Sequence, residues 1–202
     1  MRYVIMANGK GLRWHDFNGT SKSLLEVEGE TLLARTTRLV HERESGVEVI
    51  ISSSDPACET PGASRHAPRR GVLELDRFCY ELIEDGTCFL YGDTYYTPAA
   101  IDRIMGEPAG AVTFFGNDRS IVAVKVGDGA VMREAVNELL WEIAAGNIED
   151  ARGWQLHHLL EGMPLSGHEP GEHLVRIADE SQDFNEPQDW IDFCSSGADR
   201  LA

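Results

Sequence analysis

Short apolar runs at residues 3–6, 47–51, 88–91, 111–115 and 121–126 alternate with segments whose apolar residues recur at helical spacing, which leaves few architectures open. Each run is bounded by glycine or polar residues, as buried strands are. Between them Leu32, Leu33, Thr36, Leu39 and Val40 mark one helical stripe, and Leu75, Phe78, Cys79, Leu82 and Ile83 mark another. Val136, Leu139, Leu140, Ile143 and Ala144 repeat the pattern, as do Trp190, Ile191 and Phe193 near the end. Strands that alternate with helices need crossover connections. The expected fold is therefore α/β, a mostly parallel, mixed sheet with helices on both faces. A chain of 202 residues, 42% hydrophobic, suffices for one such domain and is short for two, so residues 1–202 are expected to form a single domain.

Charge and cysteine usage narrow the function classes. The net charge is −16, and an acidic surface repels a phosphodiester backbone, which argues against general nucleic-acid binding. The charge is uneven: residues 1–70 sum to +1 and the remainder to −17, so the cations concentrate toward the amino-terminal third. Cys58, Cys79, Cys88 and Cys194 form no Cys-x-x-Cys pair, which argues against a zinc ribbon, a redox motif or a disulfide scaffold. No apolar run approaches the length of a membrane span, and the opening residues lack the basic and long apolar stretches of a signal peptide. A cytoplasmic protein with reduced thiols, acting apart from membranes, is expected. Residues 52–70 break the strand–helix rhythm with three prolines and with Arg65, Arg69 and Arg70, and read as a long mobile loop of the kind that can cover a site.

The first run leads into Ala7-Asn8-Gly9-Lys10-Gly11-Leu12-Arg13, with Ser21-Lys22 following. Gly9 and Gly11 let backbone N–H groups approach an anion closely. Arg13 offers a planar fork for two oxygens, and Lys22 a compact charge for one. This chemistry suits phosphate. It is not a Walker loop, because Ser21 stands where that loop needs glycine before its lysine, and Trp14 occupies the place of the third glycine in a dinucleotide fingerprint.

A second constellation is acidic. The run at 88–91 ends in Gly92-Asp93, and in open parallel sheets ligands lie beyond the carboxyl ends of strands. Asp93 and the 9–13 loop should face one another across one crevice. A carboxylate beside a triphosphate makes sense with a divalent cation between them, and Mg²⁺ takes few protein carboxylates, filling its shell with water and phosphate oxygens. Asp183 and Asn185 alternate in an extended stretch and can face one side, ahead of Pro187, which can open the last helix. Asp189 fits the first turn of that helix as a structural acid. His157 and His158 are adjacent on a helical segment and point about 100° apart, which suits packing better than joint metal ligation.

Taken in order, the 9–13 loop, Ser21-Lys22 before Leu24-Leu25, Gly29-Glu30-Thr31-Leu32-Leu33, Gly92-Asp93 and the stretch from Asp183 through Asn185 and Pro187 to Asp189 resemble the sugar nucleotidyltransferase-like, or NTP transferase, family. That family includes molybdenum cofactor guanylyltransferase-like proteins, small sugar-phosphate pyrophosphorylases and phosphocholine cytidylyltransferases. The chain departs from its pattern at Asn8, where alanine or glycine is usual, and at Ser21, where proline is usual. The resemblance implies a Rossmann-like nucleotide-diphospho-sugar transferase fold and a Mg²⁺-dependent transfer of a nucleoside monophosphate, CMP or UMP favoured, to a phosphorylated sugar, polyol or small headgroup, with release of pyrophosphate. It assigns Ala7, Asn8, Gly9, Gly11, Arg13 and Gly71 to the nucleotide, Arg13 and Lys22 to catalysis, and Asp93, Asp183 and Asn185 to the metal. Lys125 and Tyr95 are the candidates for the acceptor. The implied role is the supply of activated precursors for cell-surface polymers. Two other classes stay open: glycosyl transfer from a nucleotide-sugar, and a non-catalytic nucleotide-binding module.

Overall fold

The computed structural model describes residues 1–9, 11, 13–14 and 17–196. In chain order the elements are β1 (Arg2–Met6), β2 (Glu26–Val27), β3 (Glu30–Thr31), α1 (Leu32–Arg43), β4 (Glu48–Ser52), β5 (Ser64–His66), β6 (Thr87–Tyr91), β7 (Thr94–Tyr95), α2 (Pro98–Gly106), β8 (Val112–Gly116), β9 (Ile121–Val126), α3 (Gly129–Ala144), α4 (Gly153–Glu161), β10 (Val175–Arg176), β11 (Gln182–Asp183) and α5 (Pro187–Ser196). Seven strands form one sheet in the order β10-β8-β9-β6-β1-β4-β5, while β7 pairs with β11 and β2 with β3 in two-stranded ribbons. The pairs β1–β4, β1–β6, β4–β5 and β8–β10 are parallel; β9 runs antiparallel to both β6 and β8. The sheet is the mixed, mostly parallel one expected.

Alternation along β1 shows how the layers arise, since successive side chains of a strand point to opposite faces. Tyr3 and Ile5 join Leu33, Leu39 and Ile101 in the cluster beneath α1 and α2, while Val4 and Met6 join Met132, Leu139 and Trp154 beneath α3 and α4. Each such side chain, fully buried, contributes roughly 1.5–3 kcal/mol. Helix starts follow local chemistry. Thr31 caps α1 by accepting from Ala34 N at 3.2 Å, Thr97 caps α2 ahead of Pro98, and Asp128 caps α3 by accepting from Ala130 N and Val131 N. A third, smaller cluster packs Trp14, Leu25, Tyr95, Phe184 and Phe193 outside the main sheet.

Two segments differ from the sequence expectation. Residues 52–70 are not a free loop: Pro56–Cys58 forms a short 3₁₀ turn, Cys58 is buried, and β5 extends the sheet edge beside β4. The apolar stripe at 75–83 buries its large side chains as its spacing implies, yet forms two 3₁₀ turns, Glu74–Phe78 and Tyr80–Leu82, with Cys79 between them at a φ of 43°. A left-handed residue there ends one turn and restarts the next, which breaks the α-helical period. Among the described residues, no helix is long and apolar enough to cross a membrane.

Candidate functional site

The carboxyl ends of β1 and β6 lie side by side, with Met6 in register with Tyr91, and both chains then leave the sheet toward one side. Gly92 N donates to Met6 O at 3.0 Å, and a Cβ at Gly92 would sit 2.6 Å from that same oxygen. Only glycine permits this approach. It sets Asp93 directly against the loop that follows β1. Two recesses of about 500 and 350 Å³ meet there, and both are lined by Gly9, Gly11, Lys22, Arg77 and Asp93. Ala7 and Asn8 line the larger recess; Arg13, Asp183 and Asn185 line the other. Lys10 and Leu12 of the loop lie outside the described residues.

The chemistry at this junction is one of opposed charges. Lys22 Nζ pairs with Asp93 Oδ2 at 2.8 Å, both side chains mostly withdrawn from water. Arg13 Nη2 donates to Asn185 Oδ1 at 2.7 Å, joining the amino-terminal loop to a segment 172 residues away. Asn185 Nδ2 in turn donates to Asp183 Oδ2, and Ser120 Oγ donates to Asp183 Oδ1 at 2.7 Å. Burial pushes the Asp183 carboxyl above the usual aspartate range, the hydrogen bond from Ser120 opposes this, and the nearby charge of Asp93 adds to the rise.

Arg77 is the residue that sequence reasoning missed. It reaches the junction from the 3₁₀ turn at Glu74–Phe78, largely buried, paired with Glu74 and lying 5.3 Å from the centre of the Tyr91 ring. Burial alone would lower its pKa; the Tyr91 phenol and the charges of Asp93 and Glu74 outweigh that and hold it up. Its Nε has no hydrogen-bond partner among the described residues. The only signal in the sequence was an arginine two residues after the buried Leu75, on a stripe that reads as packing.

The other predicted residues divide. Gly71 borders a small recess with Asn8, Gly9 and Arg77, at the edge of the junction. Lys125 does not reach the site: it is 2% exposed, and its ammonium donates to Ile104 O, Met105 O and Glu107 O at 3.3, 3.0 and 2.6 Å, closing the carboxyl end of α2. Tyr95 faces away from the cavity too. Its ring packs on Phe193, its hydroxyl accepts from Arg35 Nη2 at 3.1 Å, and it is buried. Asn185 bridges the two sides of the junction, its amide oxygen accepting from Arg13 and its amide nitrogen donating to Asp183. Asp189 has the structural role expected, accepting from Asn185 N and Glu186 N at 2.8 Å each. His157 and His158 are buried in α4; His157 Nε2 accepts from Gly171 N, and both ring nitrogens of His158 lie 2.8 Å from carbonyl oxygens, those of Pro164 and Glu169.

No cluster of three or more His, Cys, Asp or Glu forms a protein-built metal cage among the described residues. The donor set nonetheless suits Mg²⁺, which binds through one or two carboxylates together with substrate phosphates and water. Asp93 and Asp183 line one cavity, and Asp183, pushed up first by burial and further by the nearby charge of Asp93, is a carboxylate whose ionised form a divalent cation would favour.

No protein-family model matches the sequence, and no curated protein matches it significantly. Solved structures do resemble it. A candidate glucose-1-phosphate thymidylyltransferase from Bacillus anthracis superposes with a TM-score of 0.60 at 13% identity, over 98% of this chain and 96% of that one. The inositol-1-phosphate CTP transferase of T. maritima gives 0.57 at 12% identity, over 93% and 90%. The CTP:phosphocholine cytidylyltransferase of Streptococcus pneumoniae gives 0.54 at 10% identity, over 96% and 98%. With near-complete coverage in both directions, these likenesses show that the chain has the nucleotidyltransferase fold.

Proposed function

We propose that this protein is a nucleotidyltransferase that moves a nucleoside monophosphate from a Mg²⁺-bound nucleoside triphosphate to a small phosphorylated acceptor. The observation that carries this reading is the convergence of Arg13, Lys22, Arg77, Asp93 and Asp183 on one cavity, at the strand ends where this fold places ligands. A phosphate oxygen of the acceptor attacks the α-phosphorus and forms the new P–O bond. The bond from the α-phosphorus to the bridging oxygen breaks, and its electron pair leaves on pyrophosphate. Both reactants are anions, so positioning and electrostatics carry most of the catalysis. Arg13 and Arg77 hold triphosphate oxygens together with backbone N–H groups around Gly9 and Gly11. Lys22, already beside Asp93, faces the α-phosphoryl group. Asp93 and Asp183 would hold Mg²⁺, which supplies charge neutralisation at the reacting phosphates.

Two of the structural neighbours are named for CTP, so CTP is the first triphosphate to try, with UTP next. The proposed setting is the cytoplasm, where soluble precursors of surface polymers are activated. Glycosyl transfer from a nucleotide-sugar is the weaker reading, since it leaves the cations beside the 9–13 loop without a triphosphate to hold. The test is a thermal-shift series with the four ribonucleoside triphosphates and Mg²⁺, followed by pyrophosphate release with phosphorylated acceptors. A ligand at a hundred times its Kd stabilises the folded state by about 2.7 kcal/mol. At least one triphosphate should raise the melting temperature in a Mg²⁺-dependent way; no shift with any of them would refute the reading.

A further inference from the structure

With Lys125 and Tyr95 turned away, the acceptor needs another place, and the smaller recess supplies one on the side away from Ala7 and Asn8. Its wall there is built by Arg119, Ser120, Arg152, Trp154 and His168. Most arginines of the described chain pair with acids, as Arg2, Arg35, Arg38, Arg43, Arg65, Arg77, Arg103 and Arg176 do. The guanidiniums of Arg119 and Arg152 have no hydrogen-bonding or ionic partner among the described residues, although the chain carries a net charge of −16.

Each stands near an acid in sequence that is committed elsewhere. Asp118, beside Arg119, pairs with Arg176 at 2.5 Å, and Asn117 Oδ1 accepts from Arg119 N and Ser120 N, fixing the hairpin tip between β8 and β9. Asp150, two residues before Arg152, accepts from Glu74 N and Ala151 N. Gly153 then lets the start of α4 come close to the cavity wall, for a Cβ there would lie 2.4 Å from Tyr91 Oη. Two separate elements thus present unpaired guanidiniums to one cavity, in surroundings that could have neutralised them. Guanidinium matches phosphate and carboxylate oxygens in geometry as well as charge.

We propose that Arg119 and Arg152 form the acceptor subsite and grip an acceptor that is wholly anionic, a sugar or hydroxy-acid phosphate, rather than one with a cationic headgroup. This rests on the transferase reading above. A quaternary ammonium is gripped by aromatic faces; on this wall the indole of Trp154 stands beside two positive charges, and the acids that share the cavity, Glu74, Asp93 and Asp183, are engaged by Arg77, by Lys22, and by Ser120 and Asn185.

Three measurements test this. Isothermal titration of glucose 1-phosphate and 3-phosphoglycerate into wild type, Arg119→Gln and Arg152→Gln needs no turnover. Each substitution should weaken binding by about ten- to a hundredfold, as loss of a charge-assisted hydrogen bond does, and unchanged affinity in both variants overturns the proposal. The same variants should keep the triphosphate thermal shift of the wild type; a loss of that shift in both would place these arginines on the nucleotide and likewise overturn it. In pyrophosphate release, phosphocholine should be the poorest acceptor of the three. If phosphocholine equals or exceeds the anionic pair, the claimed selectivity is wrong. If the wild type binds the phosphates through these arginines yet neither binds triphosphate nor releases pyrophosphate, the anion grip stands and the transferase reading fails.

Discussion

Asp183 is held where its charge is costly. A carboxyl whose folded-state pKa is raised adds stability below its unfolded value and loses that contribution as pH rises through the folded value. At neutral pH the ionised Asp183 therefore weakens the fold. Asp183→Asn should raise the melting temperature at pH 7, and the gain over wild type should vanish as the pH falls below the ordinary aspartate range. Pyrophosphate release should drop by about a hundred- to a thousandfold, as for removal of other preorganised electrostatic groups. Thermal melts from pH 3 to 8 check the first part, and a variant no more stable than wild type at pH 7 contradicts it. Sequence made Asp183, Asp93, Arg13 and Lys22 visible because charged residues beside glycine and strand ends have few structural duties. It did not make Arg77 visible, since its arrival at the junction depends on a left-handed Cys79 that no periodicity announces.

Lys125 shows what an element can demand of one residue. Its position on β9, opposite Cys88 of β6, turns it toward the carboxyl end of α2, whose last carbonyls have no partner within the helix. Lys125→Met should strand those carbonyls and destabilise the protein by about 1–3 kcal/mol, while pyrophosphate release per folded molecule stays unchanged. Urea midpoints alongside specific activity decide between this and a role at the site. The sequence placed Lys125 correctly on a strand, but the face it points to follows from the register with β6 and from how far α2 extends. Tyr95 was opaque for a related reason. Asp93 ends the short turn into β7 while Tyr95, two residues on, lies within that strand, and the pairing of β7 with β11 sends the tyrosine into a separate apolar cluster. Helices α1 and α3 were legible because their stripes are long and capped, and α5 because Pro187 opens it ahead of a short apolar stripe; β5 was not, because a three-residue edge strand leaves almost no alternating pattern to read.

At the scale of the molecule, one seven-stranded sheet runs beneath the whole site, and both faces are covered. A continuous sheet should unfold as a unit. Trp14 and Trp154 lie in different apolar clusters, so their fluorescence and the far-ultraviolet circular dichroism should report one midpoint in urea. Two separated midpoints would show that residues 1–202 are not one domain. The fold class was readable from the alternation of runs and stripes, whereas the antiparallel β9 was not, since a short apolar run carries no sign of its direction.

The bond from Arg13 to Asn185 joins residues 172 positions apart. During synthesis, then, the turn that carries Arg13 is made well before the segment that anchors it. A nascent polypeptide can lay down β1, β4 and β6 long before it can close this clasp, so a ribosome-bound intermediate halted short of residue 185 would carry the turn after β1 without its bond to Asn185.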